Sequence, residues 1–270
     1  MEQLLAFLKM IPEYTTLLNC ISRGETAAVT GLGQINRSHM LAALHGEISR
    51  PMILVCQDDI ASRRMQEELK AFSGLSAPIL PSRELTLYDT AVVSRGWEQK
   101  RLRQLYDLAN GKTNLQILSW EALSLRTIPP AVLEQASFCL KVGNEYPMDD
   151  LLAKLADAGY SRCGMVEGPG QFAVRGGILD IFSPAADQPV RAEFFGDELD
   201  TMGYFDPETQ RRTENVDEIT VLPISETLPK LHPQGLSGLC DDIRSMITRQ
   251  RRKKTPNEAL IATLEKDLEK

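Results

Sequence analysis

Residues 171–206 constrain the fold most. Apolar side chains recur there with a period of two, and the runs are broken by turns short enough to force antiparallel neighbours. Gln171–Phe182 reads as one extended unit with a bend at Gly176-Gly177. Pro184–Pro189 turns the chain, Val190–Phe195 returns, Gly196-Asp197 turns again, and Leu199–Phe205 completes a meander. Alternation then assigns faces. Phe172, Val174, Val190, Ala192 and Phe194 point inward, whereas Arg175, Arg191, Glu193 and Phe195 point outward, with Arg162 just upstream. A solvated face of compensating ion pairs is one reading of that charged surface. A docking surface, on which planar guanidinium groups meet carboxylates of another protein, is the other.

The first half follows a different rule. Between residues 25 and 120, short apolar runs alternate with helical patterns, the signature of an α/β domain with a mainly parallel sheet. Strands are expected at Ala27–Thr30, Met52–Cys56, Pro78–Pro81 and Leu115–Leu118. The helices between them are expected at Ser38–Leu44, from an Asp58 or Asp59 cap to Phe72, and at Gln99–Ala109. Leu4, Leu5 and Leu8 suggest an opening amphipathic helix that breaks at Pro12. Pro129-Pro130 marks a boundary, and a helix is expected near Pro147–Ala158. Val216–Pro223 reads as a strand that could rejoin the first sheet, and residues 224–235 as a loop. A last helix is expected to be capped by Thr255, with Pro256 at its first position; it reaches Lys270 without a terminating glycine, as a piece of a longer chain would.

Composition narrows the function. The chain has 270 residues, 43% hydrophobic and 25% charged, with 37 acidic against 30 basic side chains and a net charge of −7. That balance excludes a globally basic nucleic-acid coat, and residues 160–212 hold nine acids against five arginines. The best DNA-binding candidate is the run Arg249-Gln250-Arg251-Arg252-Lys253-Lys254, otherwise a solvated helix end. Five cysteines with no C-x-x-C pair argue against a disulfide framework or a zinc site, and for a reducing cytoplasm. No stretch approaches the roughly 20 apolar residues of a membrane span.

Catalytic motifs are thin. Thr30-Gly31-Leu32-Gly33-Gln34-Ile35 occupies the place of a phosphate loop, yet Gln34 and Ile35 stand where such a loop has its lysine and its magnesium-binding hydroxyl. A structural turn is the expected role of Thr30, Gly31, Gly33 and Gln34, and a nucleotide-dependent helicase core is the rival reading. His39, His45 and His232 show no ligand spacing, and the pairs Asp58-Asp59 and Asp241-Asp242 read as helix starts. No cofactor, catalytic residue or metal is expected.

Three segments carry a resemblance. Tyr160-x-Arg162, then Gly170–Phe182 (GQFAVRGGILDIF), then Arg191–Glu198 (RAEFFGDE) closely resemble the UvrB-homology region of the bacterial transcription-repair coupling factors, the Mfd family. The similarity continues through Phe205-Asp206 and Thr209–Arg211 to Leu222-Pro223, and is weaker over residues 1–125. The resemblance implies a vestigial RecA-like α/β domain, split into 1–127 and 213–270. It also implies an inserted small mixed α/β domain, 128–212, that binds UvrA, the damage-recognition subunit of nucleotide excision repair. It assigns docking to Arg162, Arg175, Arg191 and Glu193, with Phe194 beside them. The related UvrB has a further arginine where this chain has Ala173. The resemblance also implies a non-catalytic, monomeric module, whose parent binds RNA polymerase and double-stranded DNA, and translocates along DNA, through regions outside these 270 residues.

Overall fold

The computed structural model describes residues 7–82, 96–228 and 232–268, in two compact units, 1–130 and 131–270. Leu4 and Leu5 of the expected opening helix lie outside the described residues. The opening element is a single 3-10 turn, Phe7–Met10, that ends just before Pro12, and Pro12 itself begins α1 (Pro12–Ser22), where its missing N–H costs nothing.

In the first unit, α2 (Gln34–Glu47), β1 (Met52–Cys56), α3 (Asp59–Ser73), β2 (Ile79–Leu80), α4 (Gly96–Ala109), β3 (Leu115–Ser119) and α5 (Trp120–Ser124) follow in order. Asp58 caps α3, its carboxylate accepting the Ala61 N–H at 2.7 Å. The sheet order is β1-β3-β2, and both pairings are parallel. The central β3 is buried along its length, as expected of a parallel strand covered on both faces. Leu69, Ala42, Leu115 and Ile117 form the core between this sheet and its helices.

One expected strand is absent. Residues 25–30 take no strand pairing, and Val29 is 46% exposed. A four-residue apolar run becomes a strand only where a neighbour accepts its backbone bonds, and among the described residues none does.

The second unit contains α6 (Pro130–Ala136), β4 (Phe138–Lys141), α7 (Met148–Asp157), β5 (Ser161–Arg162), β6 (Gln171–Arg175), β7 (Ile178–Ile181), β8 (Val190–Phe195), β9 (Glu198–Phe205), β10 (Arg212–Asn215), β11 (Glu218–Val221), α8 (Gly235–Arg251) and α9 (Glu258–Leu268). The meander is present: β10-β9-β8-β7-β6-β5 form one sheet, antiparallel except where β5 joins β6. Strand β11 does not return to the first sheet; it pairs antiparallel with β4. Leu151 and Leu155 of α7 pack with Phe172, Leu179, Ile181, Ala192, Leu199 and Met202 in the main core. The cap of α9 is Asn257, whose Oδ1 accepts the Leu260 N–H at 3.0 Å, and not Thr255. Both are cap-type residues, and the one nearer the helical pattern is used.

The β4–β11 ribbon yields a chemical prediction. Burial, then hydrogen bonding and charge from Glu218, push the Cys139 thiol up to about 11. Thiolate is the reactive form, so alkylation of Cys139 should keep accelerating well above the pH at which an ordinary cysteine levels off. Mass-spectrometric rates against pH check this, and Glu218→Gln should shift the profile downward.

Candidate docking face of the second unit

The site is built on β6–β9. Gly176, at φ +61, lets the β6–β7 hairpin turn tightly. A Cβ at Gly177 would lie 2.8 Å from the Phe194 carbonyl oxygen, so glycine there allows β8 to close on the hairpin. Across the strands, Ala173, Asp180, Arg191 and Gly203 lie in one row, and Arg175, Ile178, Glu193 and Thr201 in the next. Paired residues share a face, so Arg175, Arg191 and Glu193 stand on the side opposite the main core.

Asp180 is the centre of this face. Its side chain is 1% exposed and accepts Arg175 Nη2 at 2.6 Å, Arg191 Nε at 2.7 Å and Arg191 Nη2 at 2.9 Å. The Asp180 contact also raises the Arg191 guanidinium further above its already high value. Arg191 is held from its other side by Gln210, through the backbone oxygen at 3.3 Å and Oε1 at 3.2 Å, and lies 4.6 Å from the centre of the Phe205 ring. Gln210 sits at φ +59 in a turn that Asp206 stabilises by accepting the Glu208 and Thr209 N–H groups. Those bonds, Thr209 first, hold the Asp206 carboxyl below its usual range.

The two arginines therefore differ. Arg191 is mostly enclosed, whereas half of the Arg175 side chain is open to solvent. Glu193, 44% exposed, faces Arg212 Nη1 at 3.5 Å. Arg212 lies across Gly203, where a side chain would collide with it and with the Glu214 carbonyl.

Two predicted members stand elsewhere. Arg162 is exposed at the β5 edge and pairs with Phe172, so it has the parity of the core face and not that of Arg175 and Arg191. Phe194 lies opposite Leu199 and packs against the main core. Its neighbour Phe195 is 84% exposed, on the charged face. Ala173 is enclosed with Val166, Phe182 and Phe205 in a small apolar cluster, so part of the outer face is covered rather than solvated. Alternation placed Phe195 outward; Asp180, Gln210 and Arg212 were missed because their roles depend on partners across strands.

The glycine segment of the first unit has a different chemistry. Gly33 precedes α2, and Gln34 Nε2 donates to Glu68 Oε1 at 3.0 Å. Ser38 also bonds Glu68, so a carboxylate lies within reach of the position where a phosphate loop has its lysine. Ala28, Val29, Thr30, Leu32 and Asn36 line a cavity of about 820 Å³; among the described residues no lysine or arginine lines it. In the basic run, Arg251 pairs with Glu265 at 2.5 Å, and Arg249 and Arg251 lie in the last turn of α8, where cations offset the exposed carbonyls.

Comparison with known proteins agrees with this geography. Residues 138–226, which contain the whole charged face, match the UvrB interaction domain family. The chain is 33% identical over 223 residues to a transcription-repair-coupling factor of Myxococcus xanthus, covering 80% of this chain and 19% of that protein. It is 27% identical to those of Bacillus subtilis and Staphylococcus aureus, over 84% and 87% of this chain and 20% of each relative. The chain thus spans about a fifth of the length of these curated relatives.

Proposed function

We propose that this chain, which carries the UvrB-homology region of the transcription-repair-coupling factors, is a recruitment module of transcription-coupled nucleotide excision repair that docks on UvrA through the outer face of its six-stranded sheet. The observation that carries this reading is Arg175. Among the described residues its only hydrogen bond is the one to Asp180, so four of its five N–H donors remain for a carboxylate of the partner. Glu193 supplies an acceptor in the same row, with Ile178 between them, and Phe195 an apolar anchor of the kind that concentrates binding energy. Arg191 supports the face from within. Arg162 contributes an exposed guanidinium at the β5 edge, and Phe194 acts through the core beneath.

The role is non-catalytic. A working phosphate loop needs a cation where Gln34 stands beside Glu68, and among the described residues no lysine or arginine lines the cavity along the segment. The layout of a vestigial RecA-like domain, 1–127 and 213–270, with an inserted module, 128–212, belongs to the same proposal, with β11 on β4 at the junction of the last two segments. So do a cytoplasmic location, a monomeric state, and the RNA polymerase and DNA partners of the longer relatives.

Isothermal titration tests the reading. The chain should bind UvrA saturably, and Phe195→Ala should weaken binding about tenfold or more. The same cell titrated with ATP and magnesium should give no binding heat. Absence of UvrA binding by the unaltered chain would refute the assignment.

A further inference from the structure

The geometry points to Asp180 as a positioning residue of the docking face: its buried carboxylate fixes Arg175 and Arg191 side by side before any partner arrives. This inference rests on the UvrA reading above. An isolated ionised carboxylate at 1% exposure would be costly, and two arginines answer it, Arg191 directly across on β8 and Arg175 diagonally on β6. Arg191 binds it through Nε and Nη2 together, the fork geometry that only a guanidinium provides. Two further bonds to Gln210 bring the donors used by Arg191 to four of five.

With Arg191 locked, the second lone-pair region of Asp180 Oδ2 is left for Arg175 Nη2. That single short bond restrains a long, flexible side chain while leaving its other donors open. A partner carboxylate then meets a guanidinium already in place, and the cost of ordering it falls on folding rather than on binding. The two arginines have different tasks under this arrangement: Arg191 secures Asp180, and Asp180 aims Arg175.

The test uses the full chain and purified UvrA. Asp180→Asn keeps the shape of the side chain but removes its charge. Three results are expected. The Arg191 Nε–H resonance, protected from solvent exchange in the unaltered chain, should become rapidly exchanging. UvrA affinity of the folded variant should fall by about tenfold or more. The double variant Asp180→Asn/Arg175→Ala should bind no more weakly than Arg175→Ala alone, since the two changes disable one interaction. If Asp180→Asn does not fold, Asp180→Glu keeps the charge but displaces the arginines by a methylene, and the same losses are expected.

A folded variant with altered exchange but unchanged affinity would overturn the positioning role alone, as would losses that multiply in the double variant. Failure of the unaltered chain to bind UvrA would overturn the underlying reading, and this role with it.

Discussion

Arg191→Ala is expected to destabilise the second unit by about 3–5 kcal/mol, because it leaves Asp180 buried with most of its compensation removed. Two of the three N–H bonds that Asp180 accepts from arginines come from Arg191. The remaining one comes from Arg175, whose half-exposed guanidinium is too well screened to replace them. Loss of the stacking on Phe205 adds to the effect. At about 2–4 °C per kcal/mol, the melting temperature should drop by about 10 °C. Differential scanning calorimetry on the two chains reads this directly; a shift within a degree or two would mean that water reaches Asp180 in the native state. Alternation alone places Arg191 outward, where a solvated ion pair contributes little to stability. The pairing with Asp180 reverses that expectation.

The face assignment was legible because alternation is a local property. Val190, Ala192 and Phe194 against Arg191, Glu193 and Phe195 needs only one strand, and the structure follows it. Partners across strands need the register, which depends on turn geometry. The bend at Gly176-Gly177 already sets Asp180 opposite Ala173, but nothing in the longer 184–189 connection says that Arg191 will lie on its other side rather than two residues away. Arg162 illustrates the cost of one step. Because β5 joins β6 with Arg162 opposite Phe172, its parity matches Tyr160 and the core; a shift by one residue would have put it opposite Gln171 or Ala173, on the face that carries Arg175. The β8–β9 irregularity after Glu193 is likewise invisible in the sequence, although it decides that Phe194 meets Leu199.

In the first unit the same distinction holds. Long periodic segments such as Asp59–Ser73 declare themselves through a cap and an apolar stripe. The run at 27–30 satisfies strand composition but finds no strand neighbour among the described residues. In the glycine segment before α2, the residue at position 34 is read directly from the sequence. The carboxylate of Glu68 beside Gln34, 34 positions away in the chain, is not.

Arg175→Ala should have the opposite profile to Arg191→Ala: little effect on folding and a large one on UvrA binding. Arg191 still holds Asp180 through two bonds, so the buried carboxylate stays compensated and the melting temperature should move by no more than about 2 °C. Removing the exposed guanidinium strands its carboxylate partner in the complex, a change that costs about 2–5 kcal/mol, or roughly 30-fold to a few thousand-fold in affinity. Titration of UvrA at two salt concentrations separates this from a diffuse charge effect. A contact desolvated in the complex should show most of the loss at both, whereas a loss that vanishes at high salt would place Arg175 on a solvated rim and move the centre of the docking face toward Phe195. The two arginines are adjacent on one carboxylate, yet one variant should be read in the calorimeter as a melting shift and the other as a binding defect.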